Sequence, residues 1–390
     1  MRNPVIDNIR GLCLLGVIGI HVGTLAAATQ SFWLFSFFEI LSRFSVPAFF
    51  FISGYGLFCR DEQLLALAQG VEKEDGFTYL PFLKKRLLSS GLPYLGWSYF
   101  YQLYFALTLG YVAWAPTEQF FLLVFGLSCY HLYFMVILIV FYLTAPLWRR
   151  FMAVLLRKGI LAGMGLLFIL QLGLYYISAH NNINPEAWAP WLKNLFVFRL
   201  NYIPLYYLFV YIAGGLVALY WEKIQSLLKS HALLGCLFFL ASILYIQGSA
   251  YYSYNYEGYD LLSLANTYHQ LSPQGLIYTL GSLVFFCIVL NHWQDKFSST
   301  ENCSSWYTKV ERSSFHGIEL LTHYSMLMYF LHPLFLDILT NKMTSYGIVP
   351  TVKKVTLVYV AVILLSLLGS ILVQKLCQRN RYLRLLFMGR

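Results

Sequence analysis

The sequence predicts an all-α, polytopic integral membrane protein of about ten transmembrane helices, with both termini in the cytoplasm. Three observations carry this. Of 390 residues, 59% are hydrophobic and 11% charged, whereas soluble globular chains are about a quarter charged. The apolar residues come in blocks of about twenty between short polar gaps, the length a helix needs to cross a hydrocarbon core of about 30 Å. Long alternating strands are absent, which argues against an outer-membrane barrel.

The expected spans run approximately 11–28, 32–58, 88–110, 119–147, 160–178, 203–221, 232–250, 273–293, 323–340 and 355–377. Lys and Arg orient them. One set of gaps holds Arg2, Arg10, Arg60, Lys73, Lys84, Lys85, Arg86, Arg149, Arg150, Arg157, Lys158, Lys223, Lys229, Lys296, Lys309 and Arg312, with Lys375, Arg379, Arg381, Arg384 and Arg390 at the C-terminal end. The other set holds only Lys193, Arg199, Lys342, Lys353 and Lys354. The richer side faces the cytoplasm. The net charge of +10 is read as this bias, with attraction to anionic membrane lipid. The basic residues form no continuous face for nucleic acid. Seven cysteines are scattered without a CxxC, so neither disulfides nor a metal site are expected. No internal repeat appears, and residues 1–390 read as a single membrane-embedded domain. Its main polar parts are cytoplasmic loops 59–87 and 294–322 and a basic cytoplasmic tail, 378–390.

The first span reads DNIRGLCLLGVIGIH from Asp7 to His21. Arg10 and His21 are eleven positions apart, three turns plus about 20°, so they share a face about 16 Å apart along the axis. With Arg10 at the cytoplasmic face, His21 lies near mid-membrane. Asp7, one turn from Arg10, can pair with it. An ionisable residue at that depth either does chemistry or bonds a neighbouring helix or a buried water. Arg2, Arg10 and Ala26 to Ala28 imitate a cleavable signal peptide. A signal core rarely holds a histidine and many spans follow, so a span is expected.

In the second span Glu39 and Arg43 are spaced for an intrahelical pair. SVPAFFFISGY, Ser45 to Tyr55, follows. Pro47 can kink the helix, and Ser53 and Gly54 allow close approach of a helix or a substrate. A buried Arg43 needs partners, of which Glu39 is one. Loop 59–87 is acidic, then basic; its basic end suits lipid headgroups or the phosphates of a nucleotide-like donor.

The fourth span, YHLYFMVILIVFYLTAP from Tyr130, places His131 near its outer end. Outer loops 179–202, with Trp188 and Trp191, and 251–272, with five tyrosines in its first nine residues, suit either sugar stacking or an interfacial aromatic belt. The sequon at Asn302 falls on the cytoplasmic side and is discounted. In the ninth span His332 precedes Pro333, which disfavours helix at His332 and predicts a break there. Asp337 is a buried acid with no obvious partner.

Several of these pieces together resemble acyltransferase family 3, integral-membrane acyltransferases that O-acylate bacterial surface polysaccharides and related molecules. Arg10, ten residues and His21, preceded by Asp7, resemble its Arg-x10-His signature. SVPAFFFISGY with Arg43 ahead of it, HLYFMVILIVFYLTAP from His131, and MYFLHPL, Met328 to Leu334, resemble three further family segments, in the family's order. Tyr133 stands where Trp is common. KKRLLSSGLPY has Arg86 but serines at 89 and 90, where many members carry a second arginine.

The resemblance implies transfer of an acyl group, acetyl above all, from cytoplasmic acyl-CoA to a hydroxyl of an envelope glycan, a lipid-linked sugar or a similar acceptor. It implies a multi-pass protein of the bacterial cytoplasmic (inner) membrane, with no bound cofactor and acyl-CoA as co-substrate. His21 would be the general base or a transient acyl carrier. Arg10 would meet the donor phosphates or position the thioester. Arg43, Glu39, Ser53, His131 and His332 would line the substrate pocket. A proton-coupled transporter or flippase of an envelope precursor would also carry broken helices and buried charges. In a scaffolding subunit for polyprenyl lipids the histidines would be structural.

Overall fold

The computed structural model describes residues 3–110, 115–180, 193, 203–298 and 306–389. The main helices are α1 (Pro4–Ala28), α2 (Phe32–Phe58), α3 (Leu92–Leu109), α4 (Tyr133–Leu143), α5 (Ala145–Lys158), α6 (Ile160–His180), α7 (Leu208–Leu219), α8 (Ala232–Tyr256), α9 (Pro273–Ser298), α10 (Trp306–Ser345), α11 (Val352–Gln378) and α12 (Arg381–Met388). No strand occurs among the described residues. The protein is all-α and polytopic.

Six helices are long and apolar enough to cross a membrane, or up to eight if each of two bent pairs is one span. The two remaining expected spans, 88–110 and 323–340, lie in α3 and α10. There tyrosines and Gln102, or His332, Pro333 and Asp337, lower the mean hydropathy.

The described residues form two compact units. The first comprises 1–52 and 220–371, the second 53–219 and 372–390.

In the first unit, Asn3 caps α1 by accepting from Val5 and Ile6 N–H, with Pro4 in the first turn, where its missing N–H costs nothing. The face of α1 toward α2 lacks side chains where the two meet. A Cβ on Gly23 would fall on the Glu39 carboxylate. Before Pro47, α2 is irregular, with a π turn at Ser36–Ile40 and a 3-10 turn at Leu41–Phe44. Pro47 cannot donate to the Arg43 carbonyl, and the backbone ahead of it winds differently. Glu39 and Arg43 sit in these two turns. Tyr278 on α9 donates to the Leu41 carbonyl (2.8 Å), and Tyr359 on α11 to the Leu15 carbonyl (3.1 Å).

Three expectations change here. α10 runs unbroken through His332 and Pro333; the tertiary packing of a long helix outweighs the local penalty of one proline. Segment 294–322 is helical on both sides of 299–305, which lie outside the described residues with the sequon at Asn302. Segment 251–272 is mostly helix as well: α8 continues to Tyr256 and a short helix covers Leu261–Thr267. Asp337 accepts from Asn341 Nδ2 (2.9 Å). Tyr251 and Tyr254 pack on Phe32, and Tyr251 stacks on Trp33 at 5.7 Å. Trp188 and Trp191 lie outside the described residues.

In the second unit α4 and α5 meet at 65°, at Thr144, with Pro146 in the first turn of α5. Helix Pro116–Phe125 ends at Gly126, and His131 falls in the turn before α4 instead of within one long span 119–147. A Cβ on Gly54 would fall on the Tyr211 carbonyl, so this glycine serves helix packing. α12 docks on α3 through Trp97, whose Nε1 donates to the Phe387 carbonyl (3.2 Å).

Candidate functional site

The first unit gathers His21, His332, Glu39 and Arg43. The rings of His21 and His332 are stacked, centroids 5.3 Å apart and planes 24° from parallel. His332 is fully buried and His21 half-buried. His332 Nδ1 lies 3.3 Å from the Met328 carbonyl. A carbonyl only accepts, so Nδ1 carries the proton and Nε2 keeps its lone pair. Two positions to either side of His21, α1 lies against the turns that carry Glu39 and Arg43: a Cβ on Gly19 would fall on Ser42 Oγ and one on Gly23 on the Glu39 carboxylate.

Arg43 and Glu39 form the ion pair expected from their spacing, with side chains 17% and 8% exposed. A second partner comes from a distant part of the chain: Arg43 Nη1 donates to Gln270 Oε1 (2.9 Å). Arg43 Nε is buried without a hydrogen-bond partner among the described residues. Gln270 is 4% exposed and sits in the turn between Leu261–Thr267 and α9. Next to it, burial and the nearby Arg43 charge push His269 down to about 3. It stays neutral, and its Nδ1 accepts from Leu271 N–H (2.9 Å). Sequence reasoning missed both residues. Nothing in their spacing relates them to Arg43, 227 positions away.

Arg10 keeps its expected partner, Asp7, at 3.6 Å, with side chains 40% and 30% exposed. An ion pair this open contributes about 0–1 kcal/mol, so its main property is an available guanidinium. It shares the face of His21 but stands three helical turns away, about 16 Å by helix rise.

Ser53 and His131 belong to the second unit. Ser53 is half-buried. His131 is buried, edge-on to Tyr101 at 5.5 Å. The neighbouring residues Ser128, Cys129 and Tyr130, with Gln102, Phe105 and Leu122, line a cavity of about 340 Å³. Arg86 donates to the Gly56 carbonyl (3.2 Å) and lies over Phe82 and Tyr142. The acidic half of loop 59–87 is tied to α5. Buried Arg149 forks onto Asp61, donates to Asp75 at 2.9 and 3.1 Å, and lies 4.0 Å over the Phe77 ring. Those bonds hold the Asp75 carboxyl below its ordinary range. Arg157 holds Glu72 (2.8 Å).

An all-α array of apolar helices that encloses paired histidines and a braced arginine defines a polytopic membrane protein with a polar, chemically competent interior. The chain belongs to acyltransferase family 3: that family's model, described as an acyltransferase domain, matches residues 3–375. It is thus a membrane acyltransferase. Neither the curated proteins nor the solved structures gave a match.

Proposed function

We propose that this acyltransferase moves an acetyl group from cytoplasmic acetyl-CoA to a hydroxyl of an envelope glycan or lipid-linked sugar, in the bacterial cytoplasmic membrane. The observation that carries the reading is the His21–His332 stack beside the close packing of α1 at Gly19 and Gly23 on Ser42 and Glu39, where Glu39 holds Arg43. The imidazole offers a base, and the guanidinium offers donors for an oxygen that becomes negative.

His21 takes the proton of the acceptor hydroxyl. The acceptor oxygen attacks the thioester carbon and forms the C–O bond. The C–S bond then breaks, and the CoA thiolate leaves with the proton held by His21. A transient acyl-imidazole on His21 is the two-step form of the same transfer. Arg43 stabilises the carbonyl oxygen while it is an oxyanion. Arg10 binds the donor's phosphates; its distance of about 16 Å from His21 is on the scale of the pantetheine arm between a CoA nucleotide and its thioester. His332 packs on the His21 ring and fixes its orientation. Membrane lipid surrounds the protein.

The test is transfer of radiolabelled acetyl from acetyl-CoA to an envelope-glycan extract by the nanodisc-embedded protein, beside His21→Ala. Label in the glycan with the wild type alone supports the reading. Equal labelling by His21→Ala, with both proteins folded, overturns it.

A further inference from the structure

We propose that Gln270 is a positioning residue for acyl transfer. It braces Arg43 through an uncharged acceptor, so that the guanidinium has one counter-charge and keeps a donor for the reacting oxygen. This inference rests on the reading of Arg43 given above.

The geometry separates two jobs around one guanidinium. Glu39 supplies charge and geometry at Nη2, and Gln270 supplies geometry alone at Nη1. With both terminal nitrogens held, the guanidinium plane is fixed. Nε–H remains buried and unpartnered among the described residues. Leaving a buried donor unmade costs about 1–3 kcal/mol. An oxygen that turns anionic at that donor recovers the cost in the transition state, where binding accelerates the reaction.

The arm that carries Gln270 is itself rigid. Ser272 Oγ and N–H both donate to the His269 carbonyl, at 2.8 and 3.1 Å. Ser272 Oγ accepts from Gly275 N–H (3.0 Å) at the start of α9. One residue before His269, the Tyr268 hydroxyl is 2.7 Å from Ser253 Oγ and donates to the Ser249 carbonyl (3.1 Å). A side chain on such a pinned corner loses little freedom when it binds Arg43.

The amide is the informative choice. A carboxylate at 270 would bond Nη1 at least as well. With Glu39 already ionised, it would leave the trio with net charge −1 and weaken the pull of Arg43 on a forming oxyanion. A residue that only filled space or satisfied Nη1 would tolerate that change.

The experiment compares wild type, Gln270→Ala, Gln270→Glu, Glu39→Gln and the double variant E39Q/Q270E in nanodiscs. Acetyl transfer from radiolabelled acetyl-CoA to the glycan extract gives kcat and KM, and thermal unfolding is recorded for each protein. In the double variant Arg43 again faces one carboxylate and one amide, exchanged. Gln270→Glu is expected to lower kcat by about tenfold or more beyond Gln270→Ala, with KM for acetyl-CoA little changed. E39Q/Q270E is expected to regain most of that loss and to melt above Gln270→Glu. Gln270→Glu matching Gln270→Ala, with a double variant no better than either single one, overturns the inference. A wild type that transfers nothing overturns the acyl-transfer reading instead. The melting cycle then still judges the brace: a positive coupling between positions 39 and 270 supports it, and additivity overturns it.

Discussion

His21 on α1 and His332 on α10 stack face to face at 5.3 Å although 311 positions separate them. Only one of the two is fully buried; in the proposed transfer His21 is the working ring and His332 its backing. Replacing His332 by Ala removes the backing and is expected to lower kcat by about a hundredfold, the scale of losing an oriented general base. His332→Phe keeps a flat ring and should retain more activity than His332→Ala. His21→Ala should abolish transfer, and the double variant should cost little more than His21→Ala alone, because the residues act as a unit. Single-turnover transfer assays of the four proteins check this.

Arg149 is the fastening of loop 59–87. Its side chain and that of Asp61 are 6% and 5% exposed. Removing one member leaves a buried uncompensated charge, and Arg149→Ala is expected to destabilise the protein by about 3–5 kcal/mol. Arg149→Lys should not restore it, because an ammonium cannot fork onto Asp61 while lying flat over Phe77. Thermal unfolding in nanodiscs, with limited proteolysis between residues 62 and 78, measures both effects.

Gly54 has no room for a methyl group beside the Tyr211 carbonyl. Gly54→Ala is expected to cost about 1–3 kcal/mol through forced displacement of α2 from α7. Gly56, with open space around its Cβ position, is the control, and Gly56→Ala should melt near the wild type.

His269 gives a pH dependence with a definite sign. Its folded value, about 3, lies below the ordinary 6.5 of an unfolded histidine. Above pH 6.5 neither state binds the proton, and its contribution is constant. Between pH 6.5 and 3 the unfolded chain binds a proton that the folded protein refuses. Stability then falls as pH falls, by up to about 1.4 kcal/mol per pH unit. Melting from pH 7 to pH 4.5 should therefore drop less in His269→Gln than in the wild type.

The sequence by itself determined the solvent and the local pairs. Twenty-residue apolar blocks force helices, because a membrane leaves no water to satisfy a backbone. Arg10 with Asp7, and Glu39 with Arg43, were legible because helical spacing alone brings them together. The motif order identified the family for the same reason, since short motifs are local strings. What only the tertiary structure decided is what crosses between helices: the His21–His332 stack, the Gln270 brace on Arg43, and the Arg149 fork onto Asp61. The break expected at His332 failed on the same ground. A dipeptide preference is worth a few kcal/mol at most, and the packing of a 40-residue helix overrides it. Contacts between residues far apart in the chain depend on which helix faces lock together, and periodicity within one helix carries no information about its neighbour's register.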